Sequence, residues 1–161
     1  MRRRRSRRCP ADRPAAFGGR GGGSIATVEA RSIHHVGVAV EDLDAAVRAY
    51  ERLFGGRLEH RERVDDQGVE AASMRLGKSR VELLAALEED TPIGRFLAKR
   101  GEGMHHIAYE VGDVADALER LAAEGVELID TRPRRGMFGL EVAFVHPDSV
   151  HGVLSEVVSV G

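Results

Sequence analysis

Residues 33–56 read IHHVGVAVEDLDAAVRAYERLFGG, and residues 104–125 read MHHIAYEVGDVADALERLAAEG. The two stretches align without a gap, so that the His-His pair of the first lies over the His-His pair of the second. Each begins with alternating apolar residues, which is typical of a β-strand, and then changes to the spacing of an amphipathic helix. The chain therefore contains an internal repeat that is too long for a solenoid unit and occurs only twice.

Three further strand-like runs follow each copy of the repeat. They lie at about 57–64, 69–76 and 80–87 in the first copy, and at about 126–131, 140–146 and 152–159 in the second. The predicted fold class is α+β, with tandem βαβββ modules forming one curled mixed sheet around a metal cavity. The predicted domain covers 32–161, with module one at about 33–88, a linker helix at about 91–100 and module two at about 104–159.

Residues 1–31 differ from the rest of the chain because arginine, glycine, proline and alanine dominate them. Such a composition cannot build a core, so we expect a disordered extension. An organelle transit peptide and a nucleic-acid-binding arm are the alternatives for this segment. The net charge of −2 over 161 residues conceals an acidic body behind the arginines, which argues against nucleic acid as a partner of the folded part.

Two further features limit the class of protein. No apolar run approaches the roughly 20 residues that cross a bilayer, so we expect no membrane partner. The single cysteine, Cys9, excludes a disulfide framework. We therefore expect a cytoplasmic protein.

Strand alternation predicts which side chains face the cavity. In the first strand of each module, the alternate apolar residues form the face that a packed helix needs. His35 and His106 therefore point to the opposite face, and the residue two positions after each is small, which leaves space beside the imidazole ring. His34 and His105 are expected on the helix side, with structural roles.

The last strand of module one and that of module two each carry one glutamate, Glu82 or Glu156, within an apolar run. A buried carboxylate without a partner costs several kcal/mol, so each glutamate needs a partner. One His and one Glu from each module would together offer two nitrogen and two oxygen ligands. That set suits Co²⁺, Mn²⁺, Ni²⁺, Fe²⁺ or Zn²⁺, with room for water or substrate. The predicted metal ligands are His35, Glu82, His106 and Glu156.

Five stretches carry a resemblance to a known family. They are HHVGVAVEDLDAAVRAY from His34, DDQGVEAASM from Asp65, VELLAAL from Val81, DTPIGRFLAKRGEGMHHIAYEV from Asp90, and RPRRGMFGLEVAFVHPDSVHGVLSEVV from Arg132. Over about residues 33–159 the chain resembles the vicinal-oxygen-chelate superfamily, and within it the methylmalonyl-CoA epimerases. The resemblance implies the same four metal ligands, a divalent ion with Co²⁺ favoured, an acyl-CoA substrate and a homodimer.

The resemblance also implies an isomerase that removes and returns the α-proton of a 2-carboxyacyl-CoA thioester. Several relatives carry a Glu four residues after the Gln of a QGV motif, but here that position is Ala71 and Glu70 precedes it. A shift of one residue turns a strand side chain to the other face, so Glu70 is a candidate base only if a local bulge restores its direction. Glu156 is the other candidate base. Phe138 stands where relatives often carry His.

Two other kinds of protein are compatible with these features. One is a glyoxalase or another metal-dependent enzyme of the same superfamily. The other is a metal-free protein that sequesters a small molecule. A sequestering protein does not need an intact ligand set, whereas this chain keeps all four predicted ligand positions.

Overall fold

A computed structural model describes residues 27–161 of the chain. Most of the predicted N-terminal extension, residues 1–26, lies outside the described residues. The last part of that extension has no regular secondary structure but contacts the fold. Val28 packs against the core beneath the third helix, and the Arg31 backbone N–H donates to the Glu110 carbonyl at 2.8 Å.

The described chain contains eight strands and three helices, with short 3₁₀ turns between some of them. In chain order they are β1 (Ser32–Ala39), α1 (Leu43–Phe54), β2 (Arg57–Val64), β3 (Val69–Leu76), β4 (Ser79–Ala86), α2 (Pro92–Arg100), β5 (Gly103–Glu110), α3 (Val114–Ala123), β6 (Arg134–Arg135), β7 (Glu141–Val145) and β8 (Ser155–Ser159). The 3₁₀ turns are Asp65–Gln67, Met137–Gly139 and Pro147–Val150.

The eight strands form one mixed sheet in the order β2-β3-β4-β1-β5-β8-β7-β6. The first strands of the two modules, β1 and β5, pair antiparallel at its centre. On either side of them the modules repeat the same arrangement, because β4 runs parallel to β1 and β8 runs parallel to β5. The curled mixed sheet predicted from the repeat is therefore confirmed.

Module two departs from the predicted pattern in one place. The strand predicted at about 126–131 is reduced to one bridge between Leu128 and Val145, and the short strand β6 forms instead within the predicted loop. The physical reason is local: the Asp130 carboxylate accepts the Phe144 backbone N–H at 2.9 Å. A side chain thus replaces a ladder hydrogen bond, and regular pairing stops there.

Helix α2 packs through Ile93 against Leu84, on the same face of β4 as Glu82. Helices α1 and α3 lie on the other face of the sheet. Val47 of α1 packs on Met74 and Leu83 of module one, and Val114 of α3 packs on Val157 of module two. Because α1 and α3 bury that face, the opposite face of the curled sheet is left to line a cavity. Within residues 27–161, no helix is both long and apolar enough to cross a membrane.

Each module's first helix begins at an aspartate that follows the first strand. The Asp42 carboxylate accepts the Ala45 N–H at 2.8 Å, and the Asp113 carboxylate accepts the Asp116 N–H at the same distance. These bonds satisfy one of the unpaired N–H groups of the first helical turn. The two N-caps therefore fix the point at which α1 begins after β1 and α3 begins after β5.

Replacement of the Asp42 cap tests this account of α1. Asp42→Ala should lower the free energy of unfolding by about 1 kcal/mol, because a backbone N–H loses its acceptor. Urea denaturation measures the change, with Glu51→Ala on the exposed side of the same helix as the control. Equal stability of the two variants would contradict the capping role.

Candidate metal centre

Strand register brings the four predicted ligands together on the cavity face. They occupy two neighbouring rows that cross the sheet, one from β4 through β1 to β5 and the other from β8 through β5 to β1. The first row contains Glu82, Gly37 and His106. The second row contains Glu156, Ala108 and His35. Cross-strand neighbours share a face of the sheet, so the two rows present two imidazoles and two carboxylates to one side.

The donor atoms are close to one another. The Nε2 atoms of His35 and His106 are 3.0 Å apart, and the Glu156 Oε2 lies 2.9 Å from His106 Nε2 and 3.5 Å from His35 Nε2. His35, His106 and Glu156 are all buried and form the tight part of the cluster. Glu82 flanks it, with Oε2 at 3.1 Å from His35 Nε2.

The small residues in the rows make room for imidazoles of the other module. A Cβ placed on Gly37 would lie 2.3 Å from His106 Cε1 and 2.4 Å from His106 Nδ1. The His106 ring therefore occupies the space that a side chain at 37 would need. By the same register, His35 lies opposite Ala108.

The structure contradicts the predicted positions of His34 and His105 on the helix side of the sheet. Both line the cavity instead of the helix-bearing side, and each places its Nδ1 against the Nδ1 of the next histidine, at 2.9 Å for His34–His35 and 3.0 Å for His105–His106. In the tautomer where His35 and His106 donate from Nδ1, their Nε2 atoms carry lone pairs toward the cluster. The repeated His-His dipeptide is the sequence feature from which these histidine–histidine contacts could have been predicted.

Electrostatics keep these supporting histidines neutral. Burial, followed by the positive charge of neighbouring His106, lowers the pKa of His105 to about 4. Burial and then His35 also lower the pKa of His34. Neutral rings can accept a hydrogen bond from the neighbouring imidazole, and such a bond orients that imidazole as a ligand.

The cluster itself favours positive charge at its centre. Burial alone would raise the pKa of Glu156, but hydrogen bonds from His106 and His35 outweigh burial and lower it to about 2. Burial alone would lower the pKa of His35, yet the Glu156 and Glu82 carboxylates raise it. Burial, with the nearby charge of Glu156, raises the pKa of Glu82.

These observations fit a divalent cation. Two imidazole nitrogens and two carboxylate oxygens converge. Among residues 27–161, no Lys or Arg side chain forms an ion pair with these carboxylates. Nitrogen and oxygen donors of this kind hold first-row divalent ions. The buried His-His-Glu group thus indicates a divalent metal site.

The cluster lies in a cavity of about 480 Å³. Its wall is mostly apolar and includes Val64, Leu84, Met137 and Phe144. A cavity of that size with a few convergent polar groups is typical of a small-molecule site.

The structure places Glu70 outside this cavity. The bulge that would turn Glu70 inward is missing, because β3 and β4 pair without interruption from Val69 to Leu76. The Glu70 carboxylate instead accepts Arg61 Nε at 2.8 Å, and Arg61 also contacts Asp44 of α1. Ala71, the next residue, belongs to the buried cluster beside the cavity.

Comparison with known proteins identifies a family and close relatives. A family model described as Glyoxalase/Bleomycin resistance protein/Dioxygenase superfamily matches residues 34–144. The ethylmalonyl-CoA/methylmalonyl-CoA epimerase of Cereibacter sphaeroides is 36% identical over 130 residues, which cover 80% of this chain and 97% of that protein.

Solved structures agree with the sequence relatives. The methylmalonyl-CoA epimerase from Mycobacterium tuberculosis superposes with a TM-score of 0.79 at 38% identity, covering 83% of this chain and 91% of that one. A methylmalonyl-CoA epimerase in complex with methylmalonyl-CoA and NH4+ gives a TM-score of 0.78 at 37% identity, covering 83% and 95%.

Substitution of Gly37 tests the packing of the centre. Gly37→Ala should weaken metal binding by about 10-fold or more, because the added methyl displaces the His106 ring and misplaced ligands lower affinity on this scale. Isothermal titration with Co²⁺ measures the affinity. Ala108→Gly, which removes a methyl at the equivalent position, is the matched control. Unchanged affinity in Gly37→Ala would contradict the interlocked arrangement.

The position of Glu70 yields a second prediction. Glu70→Gln should keep kcat/KM within about 3-fold of wild type, since its carboxylate pairs with Arg61 away from the cavity. Steady-state kinetics with methylmalonyl-CoA, the ligand of the solved epimerase complex, provide the measurement. A loss of about 100-fold, as expected for removal of an acid–base group, would show that Glu70 reaches the reacting atoms.

Proposed function

Because the chain belongs to the glyoxalase/bleomycin resistance protein/dioxygenase superfamily, we propose that it is a methylmalonyl-CoA epimerase, an isomerase that interconverts the R and S forms of methylmalonyl-CoA. The convergence of His35, His106, Glu82 and Glu156 in a substrate-sized cavity is the observation that carries the proposal. Relatives named as epimerases match nearly the whole described chain and support it.

The chemical problem is an α-proton that is too weakly acidic to leave at neutral pH. When bound, a divalent ion supplies Lewis-acid stabilisation for the negative charge that develops on the thioester oxygen. His35, Glu82, His106 and Glu156 would hold the ion. The chain must also exclude water, orient the thioester and provide groups that accept and return the proton.

His34 and His105 serve the ligand histidines and not the substrate. Their contacts to the Nδ1 atoms of His35 and His106 fix both imidazole planes and leave Nε2 directed into the cavity. Ligands that are positioned in advance need no reorganisation during proton transfer. The paired dipeptides therefore support a rigid centre.

Glu156 is the proposed acid–base group on one side of the substrate. Without an ion, hydrogen bonds from the two histidines outweigh burial and lower the pKa of Glu156 to about 2. A bound cation would also favour its ionised form, so Glu156 is a carboxylate at neutral pH. A carboxylate at the base of the cavity can accept an α-proton as well as contribute to the metal centre.

An arginine-rich segment beside the cavity suits the CoA end of the substrate. Arg134 lines the cavity. Arg132 and Arg135, on either side of Arg134 in the sequence, are exposed. Guanidinium groups bind phosphate oxygens through charge-assisted hydrogen bonds. We propose that this segment contacts the CoA phosphates.

The native ion, the assembly and the compartment are further parts of the proposal. We propose Co²⁺ as the favoured ion, with Mn²⁺, Ni²⁺, Fe²⁺ and Zn²⁺ as substitutes, because the donor set contains nitrogen and oxygen alone. Exposed Ile33, Phe54 and Met104 support an apolar contact between two copies, so we propose a homodimer. A single cysteine in 161 residues supports a cytoplasmic location.

The activity is tested with one epimer of methylmalonyl-CoA in D₂O. The cobalt-loaded protein should produce the other epimer and incorporate deuterium at the α-carbon, both followed by NMR. Dialysis against EDTA should lower the rate by about 100-fold or more, because charge stabilisation by the ion is lost, and added Co²⁺ should restore it.

The hemithioacetal of methylglyoxal and glutathione serves as the comparison substrate. The proposal predicts no turnover of that compound. Conversion of the hemithioacetal with no reaction of the CoA ester would overturn the epimerase assignment and favour a glyoxalase. Full activity after metal removal would overturn the metal-assisted mechanism.

A further inference from the structure

An epimerase needs a proton-transfer group on each face of the α-carbon, and Glu156 accounts for one of them. Resting on the proposed function, we propose that Glu62 is the second acid–base group, facing Glu156 across the cavity. Glu62 belongs to β2, the edge strand of module one, whereas Glu156 belongs to β8 of module two. The two carboxylates come from opposite parts of the curled sheet.

Strand register places Glu62 on the cavity face. In the antiparallel pairing of β2 with β3, Glu62 lies opposite Ala71 and His60 lies opposite Ser73. Ser73 in turn lies opposite the predicted ligand Glu82 and lines the cavity. Because cross-strand neighbours share a face, Glu62 and Glu82 are on the same side of the sheet.

Ala71 is the position where the Glu of several relatives stands. Glu62 is its direct cross-strand neighbour, with side chains at such positions about 5 Å apart at Cβ. A carboxylate from β2 therefore points into the region that a carboxylate at position 71 of β3 would reach. Glu70 cannot do so, because it lies on the other face of β3 and pairs with Arg61.

The contacts of Glu62 hold the carboxylate beside Phe138, at the edge of the cavity. Its Oε2 accepts the backbone N–H of Phe138 at 3.1 Å and also contacts His60 Nε2. The His60 ring stacks on the Phe138 ring, with centroids 4.4 Å apart, and Phe138 lines the cavity. Both polar contacts engage Oε2, so among the described residues Oε1 has no hydrogen-bond donor and is available to a substrate.

The backbone conformation of Phe138 is a second reason to assign a function to its contact with Glu62. Phe138 adopts a left-handed conformation with φ of 60°, which is uncommon for a residue other than glycine. Backbone conformations of this kind are found where surrounding contacts enforce them, often at functional sites. Here the Glu62 carboxylate and the His60 ring hold the turn, and the turn in return fixes Oε2 of Glu62.

Two other carboxylates that line the cavity, those of Asp65 and Asp130, are already engaged. Asp65 pairs with Arg63. Asp130 forms an ion pair with Arg134, whose Nε lies at 3.1 Å, and accepts the Phe144 N–H. Within residues 27–161, Glu62 has no Lys or Arg partner, and its side chain is 27% exposed. It is therefore positioned by a backbone N–H and an imidazole while remaining open to substrate.

The proton-transfer step needs only the two carboxyl groups and water, which takes the proton from one group and returns one to the other after each turnover. For one epimer, the Glu156 carboxylate forms an O–H bond with the α-proton, and the C–H electron pair moves into the enolate with its charge on the thioester oxygen. Glu62 in its acid form then donates a proton to the opposite face of the α-carbon. For the other epimer, the Glu62 carboxylate takes the proton and Glu156 in its acid form returns one.

Glu62→Gln tests this assignment in the cobalt-loaded protein. Glutamine keeps an oxygen that accepts the Phe138 N–H, so the turn is retained while proton transfer is lost. The proposal predicts that kcat falls by about 100-fold or more while KM and Co²⁺ affinity stay within about 3-fold of wild type. Deuterium should still enter from the epimer whose proton Glu156 removes, and exchange of the other epimer should be lost.

Glu70→Gln is the matched control, because its carboxylate lies one strand away on the opposite face. A kcat of Glu62→Gln within about 3-fold of wild type would overturn the assignment, as would equal loss of exchange from both epimers. These results differ from failure of the proposed function, in which the wild-type protein itself would exchange neither epimer.

Discussion

The antiparallel pairing of β1 with β5 is the constraint on which the rest of the structure depends. It sets His35 of one module opposite Ala108 of the other, and His106 opposite Gly37. Each imidazole thus lies over a small residue of its partner module, and the two Nε2 atoms meet at 3.0 Å. A register shift of one residue between β1 and β5 would turn one of the two histidines to the face that α1 and α3 cover, and would abolish the centre.

The parallel pairings of β4 and β8 extend the same constraint to the carboxylates. Glu82 lies beside Gly37 and Glu156 beside Ala108, so each small residue is flanked by an imidazole and a carboxylate. Because both modules use the same strand pairing, the four donors form a pseudosymmetric set. The carboxylates among those donors make positive charge at their centre favourable, which connects the fold to metal-assisted chemistry.

The repeat was sufficient to predict the modules, the curled sheet and the meeting of His35 with His106, because alternation and duplication are local properties of the sequence. It was not sufficient for features that depend on register between strands. The neighbouring positions of Glu62 and Ala71 arise only once β2 and β3 pair. The missing strand near residue 128 has a similar origin, since the Asp130 side chain takes a ladder hydrogen bond.

A crystal structure of the cobalt-loaded protein, with the ion located by anomalous scattering, tests the central claim most directly. The account predicts one ion bound by Nε2 of His35 and His106 and by carboxylate oxygens of Glu82 and Glu156, at about 2.0–2.2 Å. An ion bound elsewhere, or one coordinated by residues of a single module, would contradict it.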